Sequence, residues 1–265
     1  AFGNQALYSS VSGFYNIAMG YKALFSNVTG DANIAIGYLS QTHNEDGIRN
    51  ISIGKYSLNE NLNSSNNVVM GVSALHNLST GGDNVAIGDS TLKMNITGNS
   101  NTAIGYYAGF GNKGDNNVFI GAHAGESGLF NNSSNILVID NANLSNPLIY
   151  GEFDNKVLGF GAKVGIGTKT PNVPLQITTG TDVDLALGSG VIVVGEELSS
   201  NLAIDANEIQ ARNAGLASNL YLQQNGGDVY VGNAIVHSSD RRLKHDIKDI
   251  SYGLDEVLKL RPTEY

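Results

Sequence analysis

The stretch that decides the fold is Asn33–Gly37, which reads NIAIG. It recurs with small changes as NIAMG ending at Gly20, NISIG at Gly54, NVVMG at Gly71, NVAIG at Gly88, NTAIG at Gly105 and NVFIG at Gly121. Counted from Gly3, these glycines step by 17 residues six times and then by 16. Other columns keep the same step. Three places after each glycine stands a small residue: Ala6, Ala23, Ser40, Ser57, Ala74, Thr91, Ala108 and Ala124. Leu usually follows it, as Leu7, Leu24, Leu58, Leu75 and Leu92. Ten places after most of the glycines stands another, at Gly13, Gly30, Gly47, Gly81 and Gly98. Ser64 breaks that column, and Gly114 comes one residue early in the shortened repeat.

A 17-residue unit is too short for two helices and their turns, and it suits one coil of a β-solenoid with glycine-rich corners. Within NIAIG, Ile34 and Ile36 share one strand face and Ala35 points the opposite way. The bulky columns are Ile17/Met19, Ile34/Ile36, Ile51/Ile53, Val68/Met70, Val85/Ile87, Thr102/Ile104 and Val118/Ile120. The opposite column is mostly small: Ala18, Ala35, Ser52, Val69, Ala86, Ala103 and Phe119. Neither face carries charge, so both are expected to meet protein. A leading asparagine recurs as Asn16, Asn33, Asn50, Asn67, Asn84, Asn101 and Asn117. Two roles are open for it: an amide ladder between stacked coils, or tolerance of a left-handed corner. So thin a coil encloses few side chains, too few to offset chain entropy alone. The expectation is a symmetric oligomer: a homotrimer with the small-residue face along its axis, with a dimer as the alternative. Eight coils rising about 4.8 Å each give a rod of roughly 40 Å.

Composition agrees with stacked strands. Of 265 residues, 33 are Gly and 33 Asn, only 15% are charged and 41% are hydrophobic. A net charge of −9 disfavours a nucleic-acid partner. No window approaches the roughly 18 apolar residues of a membrane span. There is no Cys, so thiolate metal sites and disulfides are excluded. His43, His76, His123, His237 and His245 never pair at metal-ligand spacing, and neither metal nor cofactor is expected. Gly159, Gly161, Gly165 and Gly167 lack phosphate-loop spacing. Glu45–Asp46 and Glu196–Glu197 read as solvated corners. Tyr21, Tyr38 and Tyr106 each follow a repeat glycine, in a column interrupted by Lys55, Val72 and Asp89. They read as a packing ladder rather than a sugar-binding strip.

The step fails after Gly121, with NILVID at Asn135–Asp140 as a last echo. Four regions are expected: solenoid repeats over 1–134, a β-rich link over 135–180, a shaft module over 181–236, and a charged region over 237–265. Pro147–Pro171 shows short alternating strands with glycine turns. Leu202–Gly232 alternates at Leu220 and Leu222 and at Val229 and Val231, with a corner at Gly226–Gly227. Ser239–Tyr265 holds 12 charged residues in 27, against 13 in the first 134. Leu254, Val257 and Leu258 fall at helical spacing, with Asp255 and Glu256 early, Lys259 and Arg261 late, and Pro262 as a stop.

The N-x-A-I-G repeat with its following small residue resembles the left-handed β-roll heads of trimeric autotransporter adhesins and the repeats of phage tail fibres. The adhesin repeats are typically shorter. Pro147–Pro171 resembles the link segments of tail-fibre proteins, and Leu202–Gly232 resembles their shaft module. SDRRLK at Ser239–Lys244 resembles the start of the intramolecular chaperone of endosialidase-type tail spikes. That resemblance implies chaperone-assisted trimer folding, then self-cleavage after Ser238 with Ser239 as nucleophile and Lys244 as activating base. By spacing alone, Ser239 caps a turn and Lys244 is solvated, since positions five apart share no helix face. Family chaperone domains are much longer than these 27 residues, so cleavage is expected of a full-length parent only.

The sequence therefore leads to a non-enzymatic homotrimeric fibre segment of a phage or phage-like contractile particle, on the virion tail and serving host attachment. Its expected partners are its own copies, a cell-surface receptor of possible glycan nature, and baseplate or other tail proteins. A bacterial surface adhesin is the second reading, and a polysaccharide-cleaving tail spike the third. The enzyme would need two carboxylates roughly 5–10 Å apart in a groove.

Overall fold

The computed structural model describes residues 1–126, 128–178, 191–195, 200–204, 209–213 and 216–218. The chain divides into two compact units, Ala1–Thr179 and Gly180–Tyr265. Apart from one 3-10 turn at Gly128–Phe130, every regular element among the described residues is a β-strand.

The first unit is the solenoid. Its seven repeat strands are β1 (Ile17–Met19), β2 (Ile34–Ile36), β3 (Ile51–Ile53), β4 (Val68–Met70), β5 (Val85–Ile87), β6 (Thr102–Ile104) and β7 (Val118–Ile120). They pair in parallel, each residue facing its counterpart in the next repeat, as Ile34 faces Ile51 and Ala35 faces Ser52. The 16-residue step leaves this register intact, since Thr102 pairs with Val118 and the missing residue falls in a corner. The echo at NILVID becomes β8 (Ile136–Ile139), still parallel to β7. Then β9 (Ile149–Glu152) and β10 (Val157–Phe160) return antiparallel and close the ten-stranded sheet. The parallel stack thus ends in a meander that covers its last strand, as a terminal repeat must. A short parallel pair, β11 (Val164–Ile166) and β12 (Leu175–Ile177), follows. The second unit contains an antiparallel meander of β13 (Ile192–Gly195), β14 (Ser200–Ile204), β15 (Ile209–Asn213) and β16 (Leu216–Ala217).

The backbone between strands explains the rest of the period. After each repeat glycine, the second and fourth residues adopt left-handed φ, as Lys22 (52°) and Leu24 (51°) do. Such a backbone costs about 1–2 kcal/mol at a non-glycine residue. It persists because it turns successive N–H groups along the rod axis. Lys22 donates back to the Asn4 carbonyl (3.0 Å), and Leu24 donates forward to the Ser40 carbonyl (3.1 Å). Side chains cannot enter the repeat-glycine column itself. At Gly37 φ is +142°, and a Cβ would collide with the Gly54 carbonyl of the next coil.

The small-residue column lies inside each coil rather than along an assembly axis. Ala18, Ala35, Ser52, Val69, Ala86, Ala103 and Phe119 are all buried, and the bulky columns point outward. This corrects the expectation that the small face would line a three-fold axis. A 17-residue loop has room only for small groups opposite the inward Leu and Asn columns, so the bulky face must be the outer one. The interior is accordingly thin. Between Gly20 and Gly37 only Ala23, Leu24, Asn27, Gly30, Asn33 and Ala35 are buried.

Candidate functional site

Two asparagine columns run through this interior. In the first, each residue binds its predecessor. The Asn50 N–H and Nδ2 donate to Asn33 Oδ1 (3.0 and 3.1 Å), and Asn67 does the same to Asn50 (3.0 and 3.0 Å). Asn84 and Asn101 continue the pattern, the Asn117 and Ile136 N–H groups extend it, and Asn16 begins it. Each Nδ2 from Asn16 to Asn117 also donates to a corner carbonyl, such as Gly47 for Asn33 (2.7 Å) and Ser64 for Asn50 (2.8 Å). Of the two roles left open by the sequence, the geometry is that of the amide ladder. The left-handed corner belongs to the residue before each asparagine, such as Ala32 (φ 55°) and Arg49 (φ 56°).

The second column is Asn27, Asn44, Asn61, Asn95 and Asn112, all buried, with Leu78 in the fourth place. Asn44 Nδ2 donates to Asn27 Oδ1 (2.6 Å), and Asn61 donates to Asn44. Its signal was present in the sequence, seven places after each repeat glycine, and was overlooked beside the more regular strand motif. Ser64 replaces a corner glycine where its hydroxyl can meet Asn61 Oδ1 and accept from Asn67 Nδ2.

One coil departs from the apolar pattern. Gln41 occupies the Leu column, beside a buried hydroxyl cluster in which Ser52 Oγ lies 2.6 Å from both Ser40 Oγ and Ser57 Oγ. Gln41 Oε1 is buried with no hydrogen-bond partner among the described residues. The apolar core splits here, into a group around Ala18, Leu24 and Ala35 and a longer group from Leu58 to Val138. In the longer group, Phe119 fills the strand column where the Leu column has shrunk to Gly109 and Gly125. A Cβ at Gly109 would lie 2.7 Å from the Phe119 ring and 2.9 Å from Leu92.

Outside, the bulky strand columns form a continuous uncharged face, with exposures of 48% at Ile17, 45% at Met19, 41% at Met70, 40% at Ile104 and 38% at Ile120. Next to it run aromatic columns. Tyr21 stacks on Tyr38 with centroids 5.2 Å apart, and Tyr38 meets Tyr56 edge-on at 5.6 Å. Tyr8 stacks on Phe25 at 5.4 Å. Tyr106 belongs to a separate group with Tyr107, Phe110 and His123, and His123 Nδ1 lies 2.5 Å from Glu126 Oε2. Partial desolvation by its neighbours, with Tyr107 beside it, raises the Tyr106 phenol above its ordinary value.

At the capping meander, an apolar hollow of about 240 Å³ is lined by Phe130, Pro147, Tyr150 and Phe160 among others. A polar one of about 210 Å³ includes Glu152 and Asp154. Asn155 and the Tyr150 hydroxyl donate to Glu152 and hold its carboxyl below the ordinary value. Burial and that same carboxylate raise Tyr150. Gly159 lies in β10 and Gly165 in β11, and no helix follows Gly167 among the described residues. Glu45 and Asp46 are exposed. No cluster of three or more metal-ligating side chains, and no helix long and apolar enough to cross a membrane, occurs among the described residues.

Ser238, Ser239, Lys244, His237, His245, Glu196–Glu197, the strands expected around Leu220 and Val229, the corner at Gly226–Gly227 and the helix expected over Leu254–Leu258 all lie outside the described residues. No curated protein and no solved structure matches the chain. Residues 239–265 match the family described as the chaperone of endosialidase.

Proposed function

We propose that the chain is a segment of a homotrimeric tail-fibre or tail-spike type protein of a phage or phage-like particle, serving attachment to a host cell. One observation carries the assembly: each coil buries only a thin interior of small residues, Leu and Asn, while the strands turn an uncharged, mostly Ile/Val/Met face outward. A chain with so little interior gains most by covering that face with copies of itself, and parallel stacking aligns the same residues on every copy. The match of residues 239–265 to an endosialidase chaperone supports the tail setting, because a folding domain at the end of a fibre suits a slow, entwined trimer. Baseplate proteins and a cell-surface receptor are the further partners of this reading.

Light scattering of the purified chain tests it. The expected mass is three times that of one chain, and Ile87→Glu on the outer face is expected to lower it. A monodisperse monomer overturns the assembly, and an unchanged trimer in Ile87→Glu moves the seam to another face. Self-cleavage after Ser238, with Ser239 as nucleophile and Lys244 as base, is part of the proposal for a full-length parent. Mass spectrometry of that parent, with and without Ser239→Ala, is expected to show a cut form only with the serine, and equal intact masses would end it.

A further inference from the structure

The long sheet stops at a strand that lacks the usual protections of a sheet edge. β10 pairs with β9 on one side, and no strand among the described residues pairs with its other side. Edge strands are commonly blunted by charge or proline. β10 reads VLGF, with neither, and Val157, Leu158 and Phe160 are exposed although successive residues point to opposite faces. Gly161, Ala162 and Lys163 then lead into a separate sheet of only two strands, β11 and β12. A two-stranded sheet is marginal in water by itself. Its apolar residues are uncovered too, with Ile166, Val173 and Leu175 exposed. Beside β10 lies the hollow of about 240 Å³, lined by Gly159 and Phe160 together with Phe130, Pro147 and Tyr150. Small-molecule pockets usually measure about 300–1,000 Å³, so this one suits a seated side chain better than a separate ligand.

Each chain thus carries two different incomplete sheets, both apolar and both open at an edge. From this juxtaposition we propose that β12 of a second copy adds to the free edge of β10, with that copy's Leu175 seated in the hollow. Backbone N–H and C=O groups supply the attraction, and the seated side chain fixes the register. The strand that fills the edge is not β12 of the same chain, which lies in its own sheet with β11. Because the two edges differ, the pairing runs head to tail. Each copy gives β12 to one neighbour and receives β12 from the other, and a contact of that kind can close into a ring. The repeat coils behave differently, since their strands pair within one chain along the rod. The inference rests on the homotrimer reading above and says where the copies complete each other's sheets.

Cross-linking of the full 265-residue chain tests it, and the absence of cysteine leaves a clean background. In Leu158→Cys/Gln176→Cys, a short bis-maleimide that tolerates a register shift of one residue is expected to give a covalent trimer on denaturing gels at saturation. Leu158→Cys alone and Gln176→Cys alone are expected to run as single chains. Leu175→Asp, which places a charge in the apolar hollow, is expected to weaken association at least tenfold on dilution. Leu175→Met keeps an apolar side chain there and is expected to associate like the parent, which guards against a folding artefact in Leu175→Asp. A cross-link confined within one chain, cross-linked copies in either single variant, or full-strength association of Leu175→Asp overturns the inference. A trimer that yields no cross-link refutes the strand addition alone, while a chain that stays monomeric in light scattering refutes the homotrimer reading and the inference with it.

Discussion

Asn50 stands in the middle of the first amide ladder, and its removal has a calculable cost. Its Nδ2 donates to Asn33 Oδ1 at 3.1 Å and to the Ser64 carbonyl at 2.8 Å, and its Oδ1 accepts both the N–H and Nδ2 of Asn67 at 3.0 Å. All three asparagines are fully buried. Asn50→Ala therefore leaves the Asn67 N–H without an acceptor where solvent does not reach; Asn67 Nδ2 keeps Ser64 Oγ (3.2 Å) and the Gly81 carbonyl (3.3 Å), and the Ser64 carbonyl keeps only a 3.5 Å contact with Asn61 Nδ2. At about 1–3 kcal/mol for the unpaired group and about 0.5–1.5 kcal/mol for each of the two weakened ones, the loss is on the order of 2–6 kcal/mol. That is a large share of the roughly 5–15 kcal/mol that holds an ordinary domain folded. It corresponds to a fall in melting temperature on the order of 10–20 °C. Urea melts at fixed protomer concentration measure it, with Asn63→Ala, an exposed asparagine, as a control expected within about 0.5 kcal/mol of the parent. A loss below about 1 kcal/mol for Asn50→Ala would refute the ladder's role. Asn50→Asp adds a pH arm. The new carboxyl faces two acceptors, Asn33 Oδ1 and the Ser64 carbonyl, so only its protonated form can donate, and its folded pKa is raised above the unfolded value near 3.9. Its stabilising contribution is complete below that unfolded pKa and is lost as pH rises through the folded pKa. The variant should approach the parent in acid and fall away toward neutrality; a gap independent of pH would contradict the reasoning.

Gln41→Leu restores the column's usual residue and removes a buried oxygen without a partner, at the loss of two long Nε2 contacts of 3.3 and 3.5 Å. It is expected to stabilise the chain by about 1–2 kcal/mol in urea melts, and a destabilised variant would show that the oxygen is satisfied. Phe119→Ala leaves a cavity worth about 3–5 kcal/mol, while Phe119→Ala combined with Gly109→Leu recreates the Ala/Leu pairing of the earlier coils. A double-mutant cycle should give a favourable coupling above about 1 kcal/mol, and additivity would contradict the compensation.

The sequence alone was enough for the coil. A 17-residue step that repeats glycine, asparagine and an apolar–small–apolar triplet admits little besides stacked strands, because identical neighbours in a parallel stack must be able to touch themselves. The end of the repeat at Gly121, with NILVID as an echo, was legible for the same reason: β8 keeps the inward Val138 in register with Phe119. The second asparagine column was equally present and needed only a count from each glycine. Other features depend on contacts between coils or around one, which periodicity does not encode. Alternation in NIAIG says that Ile34 and Ala35 point apart, but not which is inside; the narrow bore of the coil settles that in favour of Ala35. The exchange of Leu for Gly109 and Gly125 around Phe119 is visible only when the rings occupy the vacated space. The aromatic stacks are likewise a tertiary product: Tyr21 meets Tyr38, and Tyr8 meets Phe25, because each coil returns the seventeenth residue to the same line of the solenoid.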